Sequence, residues 1–257
     1  MVTPFCFDLL QHHNLETFIR TIVNVPGFLD LTVTDPYKEQ ALRIVRNFGP
    51  EAAISENTNH IGVLNHIIRS NNENLLYALN TDGIGMIASL KSKMSLKGKN
   101  ALLIGAGGSS RAIGYELVRE GIKLHIANRT VAKAEQLAYM LKPFAVDQSI
   151  SCGSLDDLGW LLESLDIVVA AITKGSGLTP SQFAKLRPDA VIADTRYGAK
   201  AELVTLASAS GNINLDGQWM LFGQFVEAAN AVKRIHCVED SVFDRALESI
   251  KRDFYLA

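Results

Sequence analysis

Two stretches of this 257-residue chain carry residue types suited to binding and chemistry. The first, LLIGAGGSSRA (102–112), places Gly105, Ala106, Gly107, Gly108, Ser109 and Ser110 after an apolar run and before a segment of helical spacing. Glycines there permit a tight turn and let backbone N–H groups approach a pyrophosphate, and the helix N-terminus that follows adds partial positive charge. Ser110 stands where the dinucleotide fingerprint has its third small residue. The second stretch, LTVTDPYK (31–38), alternates β-branched residues, meets Pro36 and ends on Lys38. Lysine can serve as a general acid, but a solvated lysine in a first helical turn is the commoner use, and the stretch alone leaves both open.

About twenty residues beyond the glycines, a second strand ends in Asn128, Arg129 and Thr130. A site selective for NAD places an acid here for the ribose hydroxyls; none is present. Arg129 can form a forked pair with a 2′-phosphate, and Lys133 follows within reach of the same group. The cofactor expected is therefore NADP.

The elements that must position these residues follow from periodicity. ALLIG (101–105), KLHIAN (123–128), DIVVAAI (166–172) and AVIADTRY (190–197) read as strands; 109–121 and 131–141 read as helices, the first ending at Gly121. Such alternation predicts an α/β fold with a parallel sheet covered on both faces. Upstream, FCFDLL (5–10), FLDLTVT (28–34) and NLLYALNTD (74–82) read as strands, the last running into a turn. NLETFIRTIV (14–23) reads as a helix capped by Asn14, Pro36 is expected to open a helix, and 84–94 reads as another. The lysine-rich, acid-free run 91–100 is expected to be an exposed connector at a domain boundary, and the last 40 residues to be helical.

Composition narrows the function. Hydrophobic residues make up 47% of the chain, enough for a sizeable core, and a net charge of −2 with mixed signs gives no nucleic-acid footprint. No apolar run reaches the ~18–20 residues of a membrane span, and the first residues lack a signal-peptide pattern. Cys6, Cys152 and Cys237 are too scattered for a disulfide framework or a zinc site, so a cytoplasmic protein without metal is expected.

Several separated stretches resemble the shikimate dehydrogenase family: LTVTDPYK its N-V-T-x-P-x-K, IGVLNH (61–66) its I-G-A-V-N-T, NTDG (80–83) its N-T-D-G, GAGGSSRA and NRT its cofactor loop and phosphate clamp. DTRYGAKAEL (194–203) and MLFGQFVEA (220–228) resemble its D-x-x-Y and M-L-x-x-Q segments. The resemblance implies NADPH-dependent reduction of 3-dehydroshikimate or a related ring acid, a step of aromatic amino acid biosynthesis through chorismate. By it, Lys38 is the acid/base and Asp82 its partner, while Thr34, Asn65, Tyr197 and Gln224 contact the substrate. It also implies two domains: a substrate domain (1–84) completed by C-terminal helices (222–257) that pack back on it, and a Rossmann domain (85–221).

The chain departs from the family in places. No S-x-S-P-x-x-H-N loop, whose serines hold the substrate carboxylate, occurs in it; FCFDLL corresponds to the family's second strand, and His12 and His13 read as ordinary polar residues. Thr32 replaces Asn, His66 replaces Thr, Ala170-Ala171-Ile172 replaces N-A-T, and Ala199 replaces Pro. A sheet lacking its first strand would have an edge open to another copy, so a homodimer is an expectation. These departures keep a second reading open, an NADP(H)-binding sensor or partner protein with little catalysis. A third, a glutamyl-tRNA reductase-like enzyme, would need a nucleophilic cysteine and tRNA-binding charge that the chain lacks.

Overall fold

The computed structural model describes residues 14–70, 75–145, 149–175, 177–236 and 241–256. The expected strand at 5–10, His12 and His13 lie outside them. Two sheets organise the chain. The first contains β1 (Asp30–Thr32), β2 (Ala52–Ile54), β3 (His66–Arg69) and β4 (Leu76–Leu79) in the order β1-β3-β4-β2. β3 pairs antiparallel with β1 and β4, whereas β2 runs parallel to β4. Its core side packs on α1 (Leu15–Ile22) and α2 (Lys38–Arg46). α1 starts where the Asn14 side chain accepts from Thr17 N at 2.9 Å, and it buries Leu15, Ile19 and, just past its end, Val23, a one-face spacing of four.

The second sheet is wholly parallel: β5 (Asn100–Ile104), β6 (Lys123–Ala127), β7 (Ile150–Gly153), β8 (Ile167–Ala170), β9 (Val191–Asp194) and β10 (Asn214–Leu215), in the order β10-β9-β8-β5-β6-β7. This is the doubly wound dinucleotide-binding order, with its switch point between β5 and β8. The apolar runs are continuous because both faces are buried. Ala101 and Leu103 enter one core and Leu102 and Ile104 the other; Ile167 and Val169 alternate with Val168 and Ala170 in the same way. The crossovers use α5 (Gly108–Arg119), α6 (Val131–Leu141), α7 (Pro180–Phe183) and α8 (Glu202–Ser210). α3 (Glu56–Ile61) lies between β2 and β3, α4 (Asp82–Lys91) leads from the first sheet to the second, and α9 (Gly217–Ile235) and α10 (Ser241–Leu256) end the described chain.

Four expectations are corrected. Pro36 does not open a helix: it sits in a turn, after a cis Asp35–Pro36 peptide, where Tyr37 N donates to Thr34 O at 3.0 Å, and α2 starts at Lys38. The run 91–100 is not simply an exposed connector, because Leu96 is buried in the core beside Leu90 and Ile122. Asp82 is not in a turn but is the first residue of α4. The strand expected over 28–34 is shorter, Asp30–Thr32.

Helices meet where glycines let backbones touch. A Cβ on Gly83 would lie 2.2 Å from Ala112 O, one on Gly85 2.6 Å from Met220 O, and one on Gly223 2.6 Å from Gly85 O. These contacts fix α4 against α5 and α9, and so fix the elements of one sheet against those of the other.

Candidate active site

Lys38 and Asp82, the first residues of α2 and α4, are both buried, and their side chains form an ion pair, Lys38 Nζ to Asp82 Oδ2. Local pairing brings them together. Leu64 N donates to Lys38 O at 3.3 Å, and Val33 N to Asn65 O at 2.7 Å, tying both sides of the turn to the approach of β3. Asn80 donates its amide to Val63 O at 3.1 Å and accepts from Asp82 N at 3.1 Å. A carboxylate at a helix N-terminus is stabilised by the helix dipole.

Asn65 is the hub of the polar cluster. Its Oδ1 accepts from Thr81 N at 2.9 Å, which fixes the amide's orientation. Its Nδ2 then faces Asp82 Oδ1 at 2.9 Å, Thr81 Oγ1 at 3.1 Å and Gln224 Oε1 at 3.1 Å. Gln224 reaches it from α9 because Gly85 and Gly223 let that helix approach. Asn65 sits on Oδ1 of Asp82 and Lys38 on Oδ2, so both oxygens of this buried side chain have a partner, where an unpaired polar group would be costly. An ammonium so held can give a proton to an oxyanion forming beside it and take it back in reverse.

The other expected substrate contacts are placed differently. Tyr197 is 46% exposed, with its ring against Gly217, where a Cβ would lie 2.9 Å from Tyr197 Cε1. Burial first, and then the negative charge of Asp82, push its phenol up, so it stays a hydrogen-bond donor. The turn before it is held by Asp194, fully buried at the end of β9, which takes Arg196 through two bonds of 2.9 and 2.6 Å. Thr34 is exposed, and its side chain joins no hydrogen bond with the cluster. His66, at the departure from the family pattern, turns to Asp30: its Nδ1 lies 2.8 Å from Asp30 Oδ2, while His66 Nε2 and Asp30 Oδ1 have no partner among the described residues.

The glycine turn follows β5, at the switch point. Gly105 has φ +118°, and a Cβ there would lie 2.3 Å from Ala171 O, so the turn requires glycine. Ser110 does the work of the third small residue: its Oγ accepts from Gly107 N at 3.2 Å and donates to Ala171 O at 3.3 Å, tying the loop to the exit of β8. A Cβ on Gly107 would meet nothing within 4 Å, which leaves an open cradle at the start of α5. At the end of β6, Asn128 Nδ2 donates to Thr130 O at 2.9 Å, and Arg129 and Lys133 are exposed without an ion pair among the described residues. An open cradle with free cations beside it and no acid at that strand end fits a dinucleotide bearing a 2′-phosphate.

Two contacts were not foreseen from the sequence. Ser109, expected only to bind cofactor, also touches Lys38 and Asp82, and Asp35 Oδ1 would lie 3.3 Å from a Cβ on Gly108. Both join positions distant in sequence, so no local pattern signals them. Thr81 was within reach, since it lies inside the NTDG stretch.

Comparison with known proteins adds relatives. A family profile described as Shikimate / quinate 5-dehydrogenase matches residues 87–186. The shikimate dehydrogenase (NADP(+)) of Methanocella arvoryzae is 36% identical over 203 residues, covering 77% of this chain and 70% of that protein. A shikimate dehydrogenase solved in complex with NADP+ is 27% identical with a TM-score of 0.73, covering 95% of this chain and 83% of the other. The ligand-free 5-ketofructose reductase of a Gluconobacter strain is 26% identical with a TM-score of 0.67, covering 92% and 83%. Identity at that level over most of both sequences has one consequence: the chain belongs to the shikimate/quinate dehydrogenase family.

Proposed function

We propose that this NADP-dependent dehydrogenase interconverts a ring alcohol and its ketone, with 3-dehydroshikimate or a related hydroxylated ring acid as the substrate reduced. The observation that carries the reading is the buried Lys38–Asp82 pair beside the glycine loop. NADPH supplies the hydride. Lys38 gives its proton to the carbonyl oxygen as negative charge builds there, and Asp82 keeps the ammonium aimed. Asn65, Gln224, Thr34 and Tyr197 hold the substrate hydroxyls. Gly105 to Ser110 take the pyrophosphate on backbone N–H groups, Arg129 and Lys133 take the 2′-phosphate, and Asn128 and Thr130 shape that turn. Residues 1–84 with 222–257 act as the substrate unit and 85–221 as the cofactor unit; the crossing of α4 with α9 supports this division.

A second reading has one specific support. Thr32 and His66 replace family residues in the substrate unit, and one structural neighbour is named as a reductase of a keto sugar. In that reading the chemistry stays and the ketone lacks a carboxylate. Purified protein incubated with NADP+ and, separately, shikimate, quinate and polyhydroxy alcohols distinguishes the readings by NADPH absorbance. NADPH formed with shikimate or quinate is expected. NADPH formed only with neutral polyols supports the second reading, and silence across the panel with NADPH still bound contradicts both.

A further inference from the structure

Ser109 is the second residue of α5, on the far side of the cleft from Lys38 in the chain's organisation, yet its hydroxyl sits inside the acid–base pair. Ser109 Oγ accepts from Lys38 Nζ at 3.2 Å and donates to Asp82 Oδ2 at 3.2 Å. With the ion pair itself these close a ring of three groups. Ammonium, carboxylate and hydroxyl each use a different capacity: the ammonium donates twice, the carboxylate oxygen accepts twice, and the hydroxyl does one of each.

The register of that ring is built into the backbone. Gly83, next to Asp82, lies against Ala112, three residues on from Ser109; a Cβ on Gly83 would be 2.2 Å from Ala112 O. One contact therefore brings the start of α4 to the start of α5 and sets the hydroxyl beside the carboxylate. A lysine ammonium ends a flexible four-carbon stem, so one partner fixes its distance but not its direction. The second anchor comes from the loop that cradles the cofactor.

We infer that Ser109 is a positioning residue that makes the aim of Lys38 depend on the docked glycine loop. The inference rests on the reading of Lys38 as the acid/base. With the loop in place the ammonium is held from two sides; with the loop displaced it keeps only Asp82 and swings. The acid is thereby aimed only when the cofactor's own cradle has closed on the substrate unit.

Full-length Ser109→Ala and Ser109→Thr separate this role from a structural one. Ser109→Ala is expected to lower kcat about ten-fold with KM for NADPH within about two-fold, because the backbone N–H groups of the loop remain. Ser109→Thr, which keeps the hydroxyl, restores most of the rate. In a Lys38→Met background, removing the hydroxyl changes the residual turnover no further. Independently of turnover, acylation of Lys38 by an amine-reactive ester, read by peptide mass spectrometry, should be several-fold faster in Ser109→Ala than in the parent. Unchanged kcat and unchanged acylation in Ser109→Ala overturn the inference, as does an equal loss in Ser109→Thr. No turnover by the parent on any ring acid, alongside faster acylation in Ser109→Ala, overturns the functional reading and leaves the positioning contact standing.

Discussion

Asp82 accepts Asn65 on one oxygen and Lys38 and Ser109 on the other, so both oxygens are engaged by named donors. Burial and these additional hydrogen bonds separate the pair from a surface salt bridge. The corresponding expectation at the cofactor end is selective. Arg129→Ala should weaken NADPH about 10- to 100-fold while NADH changes by about two-fold at most, since only the first carries the phosphate that a charge-assisted fork recognises. Titration of cofactor fluorescence measures both, and equal weakening of the two contradicts the assignment. Most of these residues could be read in the sequence: Lys38, Asp82, Asn65 and Gln224 each sit in a short stretch with its own pattern. Ser109 was legible as a loop residue but not as a neighbour of Lys38, because the two are 71 positions apart and tertiary contacts such as that of Gly83 with Ala112 bring them together.

Helices α4, α5 and α9 meet beside the site, and the glycines of α4 and α9 set their spacing. Gly223→Ala puts a Cβ 2.6 Å from Gly85 O and must push α9 away from α4. Denaturant unfolding should show a loss of about 1–3 kcal/mol, the usual range for overpacking. KM for substrate should rise as Gln224 withdraws from Asn65. Gly159→Ala, where a Cβ meets nothing within 4 Å, should leave both unchanged. Glu116 on α5 gives a pH test. Burial chiefly, set against the nearby Arg119, holds its carboxyl above the ordinary 4.5. A carboxyl raised on folding contributes stability below its unfolded value and loses it as pH rises through the folded one. Glu116→Gln should therefore melt higher than the parent at neutral pH, with the difference fading as pH falls through the raised folded value and gone below the ordinary 4.5; a gain independent of pH would contradict this. Among the elements, the strands of the parallel sheet were legible where both faces are buried and the apolar run is unbroken, as in 101–104 and 167–170. β2, β3 and β10 were not: they are two to four residues long and exist through pairing with neighbours. Pro36 misled because proline suits a first helical turn and a tight turn equally well.

The whole molecule is two sheets joined so that the glycine loop that follows β5 meets the buried Lys38–Asp82 pair. An exposed pair, Arg111 with Glu39 at 3.6 Å, also bridges α5 and α2 and adds little to the packing of the glycine contacts. The strand order of the parallel sheet follows from strand–helix alternation and the right-handedness of crossovers. The seating of one sheet's elements against the other's does not, since it depends on glycines in α4 and α9 that look unremarkable in sequence. No described helix is long and apolar enough to cross a membrane. The account's central claim is that Lys38 supplies the proton in an NADP-dependent ketone reduction. Its most direct test is the turnover of Lys38→Met beside the parent, with NADPH and the ring ketone, together with NADPH binding by fluorescence. The account predicts a fall on the order of 10²–10⁴ in turnover with cofactor affinity preserved. Turnover within a few-fold of the parent would contradict it.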